Sequence, residues 1–232
     1  MKLLALECAT EHCSVALWLD GELRERSADA QGAGHGEALL PMVQGLLQEA
    51  GLDLAQLDGI AVSRGPGAFT GVRLGISVAQ GLAFSVGLPV FGCSTLQAVA
   101  AAALQADPGC QAVLVCQDAR MGELYAASFV RDPAAEGVPV ALGAERLCKP
   151  GDVGRLDMTP GWDWCGAGSG FDAYPALRAG GVVPLRWLPG LWPRAAQVAR
   201  LAAAAGPAAG LDPALLQPVY LRDEVAQRSS KN

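Results

Sequence analysis

The chain has 232 residues, 51% of them hydrophobic and 17% charged, with a formal net charge of −6. That balance excludes a disordered chain and supplies ample material for a buried core, in one large domain or two ordinary ones. With an acidic balance and no Lys/Arg run, the chain is not expected to grip a phosphate backbone unaided.

The apolar run LLALEC at 3–8 predicts a strand, and CSVALWL at 13–19 a second after a short turn. Asp20-Gly21 is a hairpin signal, so residues 22–28 pair back as a third. After a Gly-rich loop at 31–36, Leu39, Leu40, Val43, Leu46 and Leu47 recur at helical spacing, which predicts a helix over 37–50 ended by Gly51. Pro41 is compatible with that helix in its first turn. A strand at 59–63 runs into Arg64-Gly65-Pro66-Gly67, a helix follows from 69 to 86, then a strand at 90–92 and an Ala-rich helix at 95–106. The pattern then restarts with strands at 111–117 and 123–130 around the turn 118–122. Residues 131–160 are punctuated by Pro and Gly; 162–170 read as a strand entering a second Gly-rich turn, 178–191 as irregular and 194–205 as a helix. A short apolar segment at 218–222 precedes a polar tail, 223–232.

These elements predict two α/β lobes, 1–106 and a smaller 107–232, with the last helix packing back on the first lobe and a cleft between halves. Seven cysteines, an odd number without a C-x-x-C pair, sit mostly in apolar runs and read as reduced core thiols. With too short an apolar start for a signal peptide and no predicted membrane span, the expected place is the cytoplasm.

The Gly-rich turn reads two ways: a tight packing turn, or an anion or nucleotide contact through Gly65, Gly67 and Thr70 at a helix start, with Ser63 nearby. It does not fit the G-x-x-x-x-G-K-[ST] loop. In the following helix Gly71, Gly75 and Ala79 form a small-residue stripe beside a ridge of Leu74, Val78 and Leu82. The stripe either seats the helix on its own sheet or, with Leu39, Leu40, Val43 and Leu47 of the 37–50 helix, presents a surface to a partner. Glu7 and Asp118 stand at matching strand ends and read as solvated charges or as carboxylates for a metal-nucleotide. Arg120 can pair with Asp118. The two histidines, His12 and His35, make no H-x-x-x-H or H-E-x-x-H set, so no metal site and no catalytic residue is assigned.

The stretches LLALECATEHCSVALW (3–18), HGEALLPMVQGLL (35–47), DGIAVSRGPGAFTGVRLGISVAQGLA (58–83), DARMGELYAA (118–127) and PVYLR (218–222) together resemble the TsaB family. The resemblance implies a duplicated actin/Hsp70/sugar-kinase-like (ribonuclease H-like) fold. It also implies a non-catalytic dimerisation subunit of the machinery for N6-threonylcarbamoyladenosine at position 37 of tRNA. In that reading the 37–50 and 69–86 helices dock a TsaD-type transferase, or a second copy of the chain when it is alone. A TsaE-type ATPase joins the complex, tRNA is met only through it, and any ATP or ADP is expected near the partner interface. The first loop departs from the family's Asp-Thr-Ser-Thr and reads Glu7-Cys8-Ala9-Thr10, which weakens the case for a nucleotide in this lobe. The competing function is a small-molecule kinase or ATPase of the same superfamily. A metallopeptidase, as the wider family was once labelled, lacks its histidine pair.

Overall fold

Successive side chains leave a strand on opposite faces, so the unbroken apolar run of the first strand supplies both of them. In the computed structural model, which describes residues 1–29, 34–132, 138–156, 158–179 and 185–222, β1 (Lys2–Glu7) sends Leu4 and Leu6 to one core and Leu3 and Ala5 to another. A strand buried on both faces needs a layer on each side, and this fold provides both.

β2 (His12–Leu19) and β3 (Glu22–Asp29) continue an antiparallel meander, turning at Asp20-Gly21 with φ of 51° and 107°. Helix α1 (His35–Ala50) crosses over to β4 (Gly59–Ser63), α2 (Phe69–Val86) to β5 (Val90–Cys93), and α3 (Thr95–Ala106) leaves the sheet. β4 and β5 are parallel to β1, giving the order β3-β2-β1-β4-β5. The second half repeats this. β6 (Ala112–Arg120) and β7 (Glu123–Arg131) are antiparallel, and β8 (Pro139–Ala141) and β9 (Arg146–Cys148) both pair with β7. β10 (Trp164–Ala167) and β11 (Leu185–Leu188) are parallel to β6. Each sheet is thus a meander followed by two parallel strands on the far side of its first strand, which is the duplicated two-lobed α/β fold the sequence predicts.

Five layers result. α1 and α2 cover the outer face of the first sheet, and α3 and α5 (Ala195–Ala205) fill the space between the sheets. The short α4 (Gly170–Ala173), with Phe171, closes the outer face of the second. The middle layer is exchanged between halves. α3 buries Leu96, Val99 and Ala103 against the second sheet, whereas α5 packs Val198 and Ala199 on the first. A cut after residue 106 therefore leaves α3 with the first lobe in chain order, although most of its buried face packs on the second sheet and only Ala98 joins the core shared with α5.

Some elements differ from the expectation. α1 begins at His35, so Pro41 lies beyond the first turn, on the exposed side. β11 falls in the segment read as irregular, because its Leu-Arg-Trp-Leu run is only four residues long. The loop at 31–36 lies partly, and the tail at 223–232 wholly, outside the described residues. α2 has the length and mean hydropathy of a bilayer span, a match that the sequence pattern did not suggest. Here its Val72, Ile76, Ala79 and Ala83 are seated on the first sheet's core. The seven cysteines are free thiols, six of them buried, as small core hydrophobes are.

Candidate functional site

The two lobes leave a cleft where the β1–β2 turn (Ala9–Glu11) and the β6–β7 turn (Asp118–Arg120) line the same cavity. The loop Pro66–Phe69, the first residue of α3, the segment Val219–Arg222 and Gln117, Tyr125 and Ser169 of the second lobe complete its walls.

Each Gly of the sequence motif is explained by a close approach inside the chain. Gly65 has φ +101°, and a β-carbon there would stand 2.8 Å from the Val219 carbonyl oxygen; at Gly67 it would stand 2.4 Å from that of Ala9. The Ala68 N–H, just before α2, donates to the same Ala9 oxygen at 2.7 Å. Part of the donor capacity at the helix start is therefore spent on a neighbouring carbonyl. Thr70 is exposed on the first turn of α2. The packing reading of Gly65 and Gly67 accounts for these contacts.

The helix surface divides the expected partner residues. Gly71, Gly75 and Ala79 are buried, and a β-carbon on Gly75 would meet Val62 Cγ2 of β4 at 3.3 Å. Leu39 and Val43 are also buried in the core of the first sheet. These five cannot serve as contact surface, because the stripe faces the chain's own sheet and β1–β2 turn. Outward remain Leu40, 45% exposed, and the half-buried Leu47, Leu74, Val78 and Leu82, which rest on the same core. Phe84, at 59%, is exposed near the end of α2, on a different side of the helix from Leu74, Val78 and Leu82.

The carboxylates behave differently from the expectation. Glu7 is fully buried, not solvated. Its Oε1 accepts the Ala9 N–H at 2.6 Å and its Oε2 accepts the Ser63 hydroxyl. Burial pushes the Glu7 carboxyl up to about 7, against the lowering effect of those two bonds. Ser63, read as a hydroxyl for an anion, is instead the partner of this acid. Asp118 accepts from the Arg120 backbone N–H at 2.9 Å and pairs with its guanidinium at 3.1 Å. The turn is wound by three successive left-handed residues, Arg120, Met121 and Gly122, with φ of 62°, 58° and 79°.

Sequence reasoning missed the role of the C-terminal segment. Gln80 Nε2 donates to the carbonyls of Pro213 and Leu216, and the Val219 N–H donates to Arg64 O at 2.7 Å. Tyr220 accepts from Arg73 Nε at 2.6 Å, and the Arg73 guanidinium stacks 3.8 Å above the Phe69 ring. Arg222 then reaches the other lobe, binding the Ala119 carbonyl at 3.1 Å and Glu123 at 2.6 Å. The segment is a strap joining the lobes over the cleft. Its one sequence signal was an arginine closing an apolar run.

Comparison with known proteins gives consistent matches. A family model described as TsaD, tRNA N6-adenosine threonylcarbamoyltransferase, matches residues 29–162. The tRNA threonylcarbamoyladenosine biosynthesis protein TsaB of Escherichia coli K12 is 38% identical over 229 residues, covering 97% of this chain and 96% of that protein. The TsaB of Haemophilus influenzae is 46% identical over 132 residues, 57% of this chain and 55% of that one. Among solved structures, YeaZ from Pseudomonas aeruginosa superposes with a TM-score of 0.81 at 36% identity, covering 95% of this chain and 99% of that one.

Proposed function

The chain belongs to the TsaB family and takes part in tRNA threonylcarbamoyladenosine biosynthesis, and from that premise we propose that it acts there as a non-catalytic subunit that docks a TsaD-type transferase. The observation carrying this reading is the outward apolar residues of α1 and α2: Leu40, exposed, and Leu47, Leu74, Val78 and Leu82, half-buried on the core of the first sheet. Two helices on the same face of one sheet with such outward residues fit a partner's helix pair by ridge-into-groove packing, and burying them removes apolar surface from water. A TsaE-type ATPase joins through the pair, tRNA is met through the complex, and the work takes place in the cytoplasm. A second copy of the chain uses the same ridge when no partner is present.

The competing kinase reading needs a carboxylate and a cation turned toward phosphates. Glu7 is instead turned inward to Ser63 and Ala9, and Asp118 and Arg120 are turned to each other. Both arrangements support a scaffold. The test is reconstitution: threonylcarbamoyl transfer to tRNA measured with the TsaD-type partner alone, this chain alone, and both. The proposal expects no transfer from this chain alone and a large gain on adding it to the partner. Transfer by this chain alone would contradict it.

A further inference from the structure

The β1–β2 turn carries a pair of thiols that partner docking does not employ. The register of β1 on β2 sets Glu7 opposite Ser14, so the next step outward sets Cys8 opposite Cys13. At the far end of the ladder the Asp20 N–H donates to the Met1 carbonyl. Hydrogen-bonded and non-hydrogen-bonded pairs alternate from there, which makes Cys8–Cys13 a non-hydrogen-bonded pair. Facing α-carbons at such a position are about 4.5 Å apart, with their side chains at their closest. That spacing lies within the range a disulfide spans. The two sulfurs stand 3.5 Å apart, one thiol donating to the other.

Both thiols are buried, at 1% and 0% exposure, but they stand at the two feet of a short turn. Only Ala9, Thr10, Glu11 and His12 separate them; Glu11 is exposed, and Thr10 and His12 are half-buried. A local opening of that turn uncovers both together, and turns open more readily than core strands. So narrow an opening admits a small oxidant and excludes a bulky protein disulfide. The hydrogen bond from the Cys8 thiol draws Cys13 below the ordinary thiol value, against burial and the Glu7 charge, and holds Cys8 above it. Cys13 is therefore the sulfur that ionises first, and the thiolate is the nucleophilic form.

We propose that Cys8 and Cys13 form a reversible disulfide when the chain meets a hydroperoxide, hydrogen peroxide being the smallest of the class. The Cys13 thiolate attacks one peroxide oxygen and the O–O bond breaks. The other oxygen leaves as hydroxide and takes up the proton that Cys13 released, so Cys13 is now a sulfenic acid. The Cys8 sulfur then attacks the Cys13 sulfur, the S–O bond breaks, and hydroxide departs as water with the Cys8 proton. In all, the two thiols lose two electrons and two protons, and hydrogen peroxide becomes two waters. A small dithiol reverses the bond by exchange. The bond pins the turn Ala9–Glu11, which lines the cleft, and the Cys8 carbonyl against which Gly71 of α2 is pressed. It stands or falls apart from the docking of a partner.

Trypsin cuts after Lys2 and Arg24, so the peptide 3–24 holds Cys8 and Cys13 and no other cysteine. In the experiment the full, reduced chain meets rising hydrogen peroxide under native conditions. It is then unfolded, labelled with N-ethylmaleimide, digested and weighed by mass spectrometry. Peptide 3–24 loses two hydrogens and takes up no label, and dithiothreitol before labelling restores both labels. Cys148, which is half-buried, reports the dose at which an unassisted thiol is oxidised. Two labels on peptide 3–24 at that dose overturn the proposal. So does a disulfide joining any other pair, or added oxygen on the peptide in place of the disulfide. Cys8→Ala leaves Cys13 to stop at the sulfenic acid, which dimedone captures, whereas Cys13→Ala leaves Cys8 fully labelled. The reverse pattern overturns the order of attack, and the parent chain's peptide decides the matter if a variant does not fold.

Discussion

Gly71 of α2 lies so close beneath Cys8 at the end of β1 that a β-carbon on it would stand 1.9 Å from the Cys8 carbonyl oxygen. The second lobe repeats the relationship, with Gly170 at the start of α4 against the Cys116 carbonyl at 2.8 Å. In both halves the helix after the strand parallel to the first, β4 or β10, is pressed at a glycine onto the first strand or the residue just past it. The small-residue stripe of α2 is therefore a seam within the chain.

Substituting this seam changes stability directly. Gly71→Ala must push backbone from backbone, and overpacking of that kind outweighs the gain in helix propensity, for a net loss of about 2 kcal/mol. Gly75→Leu collides with Val62 and Cys8 and is expected to cost more. Thermal unfolding of the isolated chain measures both; an unchanged midpoint would show that α2 sits off the sheet.

The buried Glu7 carboxyl makes stability depend on pH in a defined direction. Its folded value of about 7 lies above the ordinary 4.5. Between those values the folded chain holds more protons than the unfolded one, so stability falls as pH rises from 4.5 to 7 and then levels off. The loss from this group is about 3 kcal/mol, because a tenfold change in proton affinity is worth on the order of 1.4 kcal/mol. Glu7→Gln keeps an acceptor for Ala9 and a partner for Ser63 while removing the charge. The variant is expected to be more stable than the parent at pH 8, with the difference shrinking toward pH 4.5. Denaturant unfolding at both pH values measures it, and a difference independent of pH would mean Glu7 stays ionised in the folded chain.

The strap is held to the second lobe chiefly by Arg222. Arg222→Ala removes a partly buried ion pair and a bond to a carbonyl, a loss of about 1–2 kcal/mol. The local effect is the sharper signal: the Val219 amide, bonded to Arg64 O, exchanges its proton faster, while amides of β1 and β4 are unchanged. Equal exchange at Val219 in both forms would show that Arg222 does not hold the strap.

Most strands and every α-helix longer than one turn were legible from periodicity, because each core-facing run matches the period of its element. The repeated strand–turn–strand opening also foretold the duplicated sheets. The exchange of α3 and α5 between lobes was less visible. Both helices are Ala-rich and could pack on either sheet, so the preference of α3 for the second sheet rests on long-range contacts. The site was harder still. Spacing marks Gly71, Gly75 and Ala79 as one face of a helix, but which way that face turns depends on the Cys8 carbonyl, which no local pattern reveals. Glu7 follows an apolar run as a solvated strand end would, and only the fold brings Ser63 beside it. Cys8 and Cys13 read as core thiols in sequence; only the pairing of β1 with β2 brings their sulfurs face to face.

The docking ridge carries the central claim, and a titration of the purified chain with its TsaD-type partner tests it most directly. Leu40→Glu and Val78→Arg alter residues that are exposed or half-buried, so each variant is expected to unfold near the parent's midpoint, with long side chains reaching water from the helix surface. The account predicts that each weakens association at least tenfold, because a charge would be buried in an apolar contact. Parent-like affinity in both folded variants would contradict it.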